Sequence, residues 1–166
     1  MREKVFISVI DPEGRINKSE ISVRNARTIS LGRELGANTV MLPFRFVSAK
    51  HGEITFEGQK IYYRDLNSSN GTVVESAGLR GYLHQTSRRI ELQDGALLRI
   101  SGTSENDSIT ILFDTEQGEE TWKRIPVGKA PLTIGRSSKN DVVLNSSNVS
   151  RQHAVIQEEN GKCVIH

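Results

Sequence analysis

An internal repeat of about one hundred residues restricts the fold of this chain more than any other feature of its sequence. The segment Ile29–Arg33 recurs 103 residues later as Leu132–Arg136, and Val47–His51 recurs 102 residues later as Val149–His153. Both copies keep the order of the two segments and nearly the same spacing. A repeat of this length has the size of a domain, whereas the units of solenoid proteins are shorter. The sequence therefore predicts two copies of one domain.

The second copy is incomplete within the 166 residues. Asn70 follows Ser48 by 22 residues, so its counterpart in the second copy would fall near position 172, beyond His166. We therefore expect the sequence to be a piece of a longer protein.

The repeat also predicts the domain boundaries. We expect a complete domain over residues 1–115, a short polar and acidic linker over 116–120, and the N-terminal part of a second domain over 121–166. A half-domain of this kind would expose an unpaired sheet edge, which proteins normally cover. It is therefore expected to be disordered, to collapse on the first domain or to pair with another chain, for example as a homodimer.

Short strand-like runs between turn residues predict an all-β fold. The runs are bounded by Gly, Asn, Asp, Pro or Ser, and strands at this spacing are typical of a sandwich or barrel. No segment of convincing length shows a helical period. Gly58, Asp94-Gly95 and Asn70-Gly71 are predicted to form hairpin turns. The predicted strands are Lys4–Ile10, Ser22–Arg24, Thr28–Leu31, Glu53–Phe56, Lys60–Arg64, Thr72–Val74, Arg89–Leu92, Leu97–Ile100 and Ser108–Phe113.

Charge and cysteine content argue against several classes of partner. The net charge is +2, and 22 basic residues are scattered among 20 acidic ones, so the basic stripe that nucleic acid or an anionic membrane requires is absent. No run approaches the ~18 apolar residues of a membrane span. Cys163 is the only cysteine, which excludes an intramolecular disulfide and favours a reducing, cytoplasmic location.

The sequence also argues against an enzyme. Ser48 and His51 suggest a hydrolase, but the chain has no Gly-x-Ser-x-Gly elbow and no identifiable acid partner. The four histidines do not fall in a metal-ligand spacing. We therefore expect no catalytic residue, no metal and no cofactor.

Three segments of the first copy form a specific combination of motifs. They are Gly32-Arg33, Ser48–His51 and Asp65–Thr72, which read Gly-Arg, Ser-x-x-His and Asp-Leu-x-Ser-x-Asn-Gly-Thr in that order. This combination resembles the forkhead-associated (FHA) family. The resemblance covers residues 1–115 fully and 121–166 as the front part of a second copy. It implies an eleven-stranded β-sandwich, followed by a truncated copy, whose loops at one end bind phosphothreonine peptides.

The resemblance implies a role for each motif residue that faces the peptide. Arg33 would contact the phosphate, Ser48 would donate to a phosphate oxygen, Ser69 would help to seat the phosphothreonine, and Asn70 would hold the peptide main chain. Ala49 stands where many family members have a basic or polar side chain, so it offers only its backbone N–H. We expect this departure to weaken binding.

The same resemblance implies residues that brace the loops without touching the ligand. These are Gly32, His51, Gly71 and Thr72. After Thr72 the family usually continues into a short Asn-Gly turn, whereas this chain reads Val73–Gly78, so that turn is expected to be altered. In the second copy the equivalent residues are Arg136, Ser150, Arg151 and His153, but without the Asn-containing loop that site is not expected to close.

The chemistry of these residues fits a phosphate ligand. A phosphate dianion has several strong acceptor oxygens, which a guanidinium fork and a hydroxyl donor satisfy. The expected function is phosphothreonine-dependent binding of a protein in Ser/Thr kinase signalling, with a kinase or its substrate as the partner. The alternative is a phosphate-independent tandem scaffold, as in the degenerate pairs of type VII secretion ATPases. Such scaffolds tend to lose the Arg or the Ser, and this sequence keeps both.

Overall fold

The computed structural model describes residues 3–24, 26–115, 125, 128 and 131–166. These residues contain fifteen β-strands and no helix. The chain divides into two compact units, Met1–Gly118 (unit 1) and Glu119–His166 (unit 2). The predicted linker at 116–120 and the predicted start of the second domain at 121 lie outside the described residues.

Unit 1 contains eleven strands in two sheets, which confirms the predicted all-β class. One sheet has six strands in the order β2-β1-β11-β10-β7-β8, and the other has five in the order β4-β3-β5-β6-β9. The short pair β3·β4 is parallel, and the other pairs are antiparallel. The strands are β1 (Lys4–Ile10), β2 (Ile16–Ser22), β3 (Thr28–Gly32), β4 (Val40–Met41), β5 (Gly52–Glu57), β6 (Lys60–Asp65), β7 (Thr72–Ser76), β8 (Leu79–Leu83), β9 (Arg89–Glu91), β10 (Ala96–Ser101) and β11 (Ser108–Asp114).

The core of unit 1 lies between the inner faces of the two sheets. Alternate residues of a strand point to opposite faces, so Leu98 and Ile100 are buried while Arg99 is exposed. Ile29 and Ile54 of the five-stranded sheet belong to the same buried cluster as these residues. Each fully buried side chain of this size contributes about 1.5–3 kcal/mol. This core holds the strand ends that carry the three motif loops.

The sequence located most strands but misplaced one and missed two. The predicted run Ser22–Arg24 is wrong, because the strand in that region is β2 and ends at Ser22. β2 is an edge strand with mainly exposed, polar residues, so it lacks the apolar alternation that marks a half-buried strand. β4 was missed because it has only two residues. β8 was missed because it too is a mostly exposed edge strand.

One predicted hairpin is confirmed and two are wrong. Gly58, with φ +61°, connects the paired strands β5 and β6. The pairs Asn70-Gly71 and Asp94-Gly95 instead connect strands of different sheets, β6 to β7 and β9 to β10. Ala77-Gly78 forms a hairpin between β7 and β8, with φ +48° and +78° as a type I′ turn requires. A turn signal determines the local bend but not the sheet that the next strand joins.

Unit 2 repeats the order of one edge of the five-stranded sheet. Its strands are β12 (Leu132–Gly135), β13 (Val142–Val143), β14 (Ala154–Glu159) and β15 (Lys162–Ile165). Their order, β13-β12-β14-β15, matches β4-β3-β5-β6, and β12·β13 is parallel like β3·β4. The described part of the half-domain forms a four-stranded sheet. The homodimer stays a prediction.

Neither unit offers a membrane span in the part of the chain that is described, since no helix there is long and apolar enough to cross a bilayer. The same residues contain no group of three or more His, Cys, Asp or Glu placed to hold a metal ion.

Candidate ligand-binding site

Three loops of unit 1 meet at one end of the two sheets. Loop A joins β3 to β4 (33–39), loop B joins β4 to β5 (42–51), and loop C joins β6 to β7 (66–71). The backbone N–H of Arg33 donates to the carbonyl of Ser48 at 3.0 Å, which ties loop A to loop B. The N–H of Ser69 donates to Ser48 Oγ at 3.0 Å, and Asn70 Nδ2 donates to the carbonyl of Phe46 at 2.8 Å, which ties loop C to loop B. The residues predicted for the site are therefore neighbours.

Arg33 presents an exposed side chain that is anchored at one atom. Its Nε donates to the carbonyl of Val47 at 3.1 Å, which restricts the guanidinium to the side of loop B. Its terminal Nη groups make no hydrogen bond or ion pair to the described residues. An anchored guanidinium with free terminal donors is suited to bidentate binding of an oxyanion.

Ser48 accepts one hydrogen bond and retains its own proton to donate. The Oγ accepts from the N–H of Ser69, and its backbone N–H donates to His51 Nδ1 at 3.1 Å. A hydroxyl carries one donor and two acceptor lone pairs, so the proton of Ser48 remains available for an acceptor in the site. The adjacent Ala49 is exposed and adds no polar side chain.

His51 connects loops B and C from inside the protein. The side chain is fully buried; Nδ1 accepts from the N–H of Ser48, and Nε2 donates to the carbonyl of Gly71 at 3.0 Å. These two bonds assign the neutral tautomer with the proton on Nε2. Burial lowers the pKa of His51, although the Gly71 carbonyl and the carboxylate of Asp65 partly oppose this shift.

A buried polar network shapes loop C. Asp65 accepts from the N–H of Ser68 at 2.9 Å and from its hydroxyl at 2.6 Å, and Ser68 Oγ accepts from the N–H of Gly71 at 2.9 Å. Thr72 Oγ1 and the hydroxyl of Tyr63 lie 2.8 Å apart. Burial raises the pKa of Tyr63 far above its usual range, so this phenol stays neutral. The satisfied network fixes the turn that presents Ser69 and Asn70.

Two glycines of the motifs are required by close approaches. Gly71 has φ +69°, and a Cβ there would lie 2.7 Å from Cε2 of Tyr82 and 2.8 Å from the carbonyl of Leu83. A Cβ on Gly32 would lie 2.8 Å from the side-chain amide of Asn38. A side chain at position 71 would push loop C away from β8, and a side chain at position 32 would displace Asn38.

Two residues of the site were not predicted from the sequence. Asn38 Nδ2 donates to the carbonyls of Glu34 at 3.0 Å and Ala49 at 2.8 Å, and so holds loop A against loop B. Tyr82 donates its hydroxyl to the carbonyl of Asn70 at 2.9 Å. Asn38 has a counterpart at Asn140, so a longer comparison of the two copies could have identified it. Tyr82 lies on β8, the strand that was not predicted, and it has no counterpart in the second copy that could have identified it.

Unit 2 has equivalents of loops A and B, at residues 136–141 and 144–153, and reproduces the contact between them. Arg136 donates its N–H to the carbonyl of Ser150 at 2.9 Å, and the N–H of Ser150 donates to His153 Nδ1 at 3.3 Å. Asn140 Nδ2 donates to the carbonyls of Ser137 at 2.9 Å and Arg151 at 2.7 Å, as Asn38 does in unit 1. His153, unlike His51, is exposed.

The family model for the FHA domain matches residues 29–101 and 132–166. The chain belongs to the FHA domain family. The two matched ranges fall in unit 1 and unit 2 respectively, and each begins in the strand that precedes its Gly-Arg motif. No curated protein matches the chain at a significant level of sequence similarity.

Two solved structures with TM-scores above 0.5 share the fold, and a third is similar at a lower score. The FHA domain of an Arabidopsis thaliana hypothetical protein is 21% identical, with a TM-score of 0.54, over 72% of this chain and 92% of that chain. Full-length yeast Pml1p is 24% identical, with a TM-score of 0.52, over 67% of this chain and 81% of that chain. A structure from an analysis of phosphothreonine-dependent FHA domain interactions is 26% identical, with a TM-score of 0.47, over 69% of this chain and 98% of that chain.

Proposed function

We propose that the FHA domain of unit 1 binds a protein segment phosphorylated on threonine, with loops A, B and C as the binding surface. The observation that carries this proposal is the anchored guanidinium of Arg33 beside the free hydroxyl proton of Ser48, in loops that hydrogen-bond directly to each other. Membership of the FHA family supports it, because FHA domains are binding modules rather than enzymes.

The donors of the site match the acceptors of a phosphate group. The terminal donors of Arg33 bind two phosphate oxygens, and the hydroxyl of Ser48 binds a third. Hydrogen bonds to a charged group contribute about 1.5–3 kcal/mol each, so two or three of them approach the ~8 kcal/mol of a micromolar complex. Such an affinity suits a reversible contact in Ser/Thr kinase signalling.

Asn70 adds a contact to the peptide main chain beside the phosphate. One of its Nδ2 protons is used by the carbonyl of Phe46, and its own carbonyl is held by Tyr82. The second Nδ2 proton remains to donate to a peptide carbonyl, and Oδ1 remains to accept from a peptide N–H. Ser69, which is exposed beside it, lies against the phosphothreonine.

Calorimetry with a phosphothreonine peptide library and its unphosphorylated twin tests the proposal. The measurement uses the chain with Arg136→Ala, so that unit 2 does not contribute. We expect binding of the phosphorylated library only, and a loss of at least about ten-fold in affinity on adding Arg33→Ala. Arg99→Ala is the matched control, because Arg99 is an exposed arginine on the six-stranded sheet. Equal binding by the Arg33→Ala chain and its parent contradicts the proposal and favours the scaffold.

A further inference from the structure

Unit 2 has an open cavity that is lined by three cationic residues. Arg136, Lys139 and Arg151 line it, together with Ser137, Ser138 and Asn140. All three cations are exposed, and no Asp or Glu of the described residues belongs to the lining. The nearest acidic residue in sequence, Asp141, accepts from the N–H and hydroxyl of Thr133 at 2.8 and 2.7 Å. The cavity therefore has a concentrated positive charge.

The two loops of this cavity are held together without any counterpart of loop C. Besides the Arg136 N–H bond, the N–H of Ser137 donates to the carbonyl of Arg151 at 3.2 Å. The amide of Asn140, which is 9% exposed, donates to both loops. These hydrogen bonds therefore hold the loops that carry Arg136 and Arg151 next to each other.

The charge of the cavity differs from that of the equivalent surface in unit 1. The duplicated Arg, Asn and Ser residues align Lys139 with Ala37, Arg151 with Ala49, and Ser137 with Glu34. Gln152, which also lines the cavity, aligns with Lys50. Over these positions and that of the Gly-Arg arginine, unit 2 has three cations and no anion, whereas unit 1 has two cations, Arg33 and Lys50, and one anion, Glu34. The positive charge is therefore greater in unit 2 than at the aligned positions of unit 1.

We infer that the cavity of unit 2 binds a phosphorylated residue together with a second anionic group next to it, either a carboxylate or another phosphate. A phosphate dianion balances two of the three cations, and the third remains to pair with a further negative group. The ligand class is thus an acidic phosphopeptide. This inference rests on the proposed function in one respect, that an arginine and a serine in loops A and B bind phosphate.

The test uses the full chain with Arg33→Ala, so that peptide binding by unit 1 is weakened. Three labelled peptides are titrated by fluorescence polarisation: phosphothreonine flanked by alanines, phosphothreonine flanked by aspartates, and threonine flanked by aspartates. We expect the acidic phosphopeptide to bind tightest, by about two- to five-fold over the alanine phosphopeptide, with the advantage lost in high salt. Equal binding of the two phosphopeptides, or no binding of any peptide, overturns the inference.

Substitutions that replace cations of the unit 2 cavity with the aligned residues of unit 1 identify which cations determine the preference for flanking aspartates. Lys139→Ala is expected to abolish the preference for flanking aspartates while leaving the affinity for the alanine phosphopeptide nearly unchanged. Arg151→Ala is expected to weaken both phosphopeptides about ten-fold, because it removes a direct phosphate donor. Lys162→Ala is the control, since Lys162 is an exposed lysine on β15 that does not line the cavity. If the Lys139→Ala variant kept the preference for flanking aspartates, Lys139 would not be the residue that binds the second anionic group.

The reciprocal exchange separates this inference from the proposed function. Ala37→Lys with Ala49→Arg is introduced into unit 1 of the Arg136→Ala chain, and unit 1 is expected to gain a preference for the acidic phosphopeptide. If unit 1 binds no phosphopeptide while unit 2 prefers the acidic one, the proposed function fails and the inference stands. If unit 1 binds phosphothreonine and unit 2 binds nothing, the inference alone fails.

Discussion

The same hydrogen bond between the Gly-Arg loop and the Ser-x-x-His loop occurs in the two-sheet sandwich of unit 1 and in the four-stranded sheet of unit 2. The N–H of Arg33 donates to the carbonyl of Ser48 at 3.0 Å, and the N–H of Arg136 donates to the carbonyl of Ser150 at 2.9 Å. In both units a serine N–H donates to the histidine Nδ1. The contact between the Gly-Arg loop and the Ser-x-x-His loop thus forms with three strands and two loops.

The described residues of unit 2 contain no equivalent of loop C or of the six-stranded sheet. Nε2 of His51 donates to Gly71, and the side chain is fully buried. His153 is exposed, and its Nε2 has no partner within the described residues. Leu31 is 1% exposed, whereas Ile134, its counterpart, is only half-buried. In unit 1, the bond from His51 to loop C is therefore made in a buried environment.

Removal of the two histidines is the strongest way to break this comparison. His51→Ala leaves the N–H of Ser48 and the carbonyl of Gly71 without partners and creates a cavity, so we expect a loss of about 3 kcal/mol or more. His153→Ala removes an exposed side chain and should cost less than about 0.5 kcal/mol. Amide hydrogen exchange followed residue by residue measures both. Equal losses in the two units would contradict the assigned role of burial.

Gly71→Ala tests whether the close approach of loop C to β8 matters. The substitution adds a Cβ against Tyr82 and Leu83 at a positive φ, and we expect a loss of about 2–4 kcal/mol. Gly161→Ala in the β14–β15 turn is the matched control, since its φ is +75° but nothing lies within 4 Å. It should lower the free energy of unfolding by only about 1 kcal/mol, which is the cost of placing alanine at a positive φ. Urea unfolding of the two variants measures the difference, and similar costs would show that loop C tolerates the displacement.

Asn38→Ala and Asn140→Ala probe what the units share. Each asparagine bonds two carbonyls at similar distances, so each variant is expected to lose about 1 kcal/mol of loop stability. Exchange rates of the Glu34 and Ser137 amides, which bond across the loops, report this loss. A large effect in one unit with none in the other would mean that the shared bonds do not hold the loops equally.

The pH dependence of stability is the smallest expected difference. Burial lowers the pKa of His51 below its ordinary value of 6.5, so the unfolded chain binds a proton more readily than the folded one. The stabilisation is complete above pH 6.5 and is lost as the pH falls below that value, by less than about 1 kcal/mol between pH 7.5 and 6. His51→Gln should remove this dependence from unit 1. If the free energy of unfolding of the His51→Gln variant changed with pH as much as that of the parent chain, the pH dependence would belong to another group.

The motif residues could be predicted from the sequence, but several of their contacts could not. The order of Gly32-Arg33, Ser48–His51 and Asp65–Thr72 placed three loops at one end of a sandwich, and the structure brings them together. The contribution of Tyr82 could not be predicted, because the sequence of β8 does not mark it as a strand. The role of Asn38 depends on the carbonyls of Glu34 and Ala49, which are neighbours only after folding.

The sequence by itself determined the duplication, the all-β class and the chemical groups of the site, because residue identity and short-range spacing are written in it directly. Only the tertiary structure decided that Asn70-Gly71 crosses between sheets, that His51 is buried while His153 is exposed, and that three cations of unit 2 line one cavity. The physical reason is the distance along the sequence between the residues that interact. A turn or a strand depends on residues a few positions apart, whereas sheet membership, burial and cavity charge depend on residues that folding brings together from distant parts of the chain.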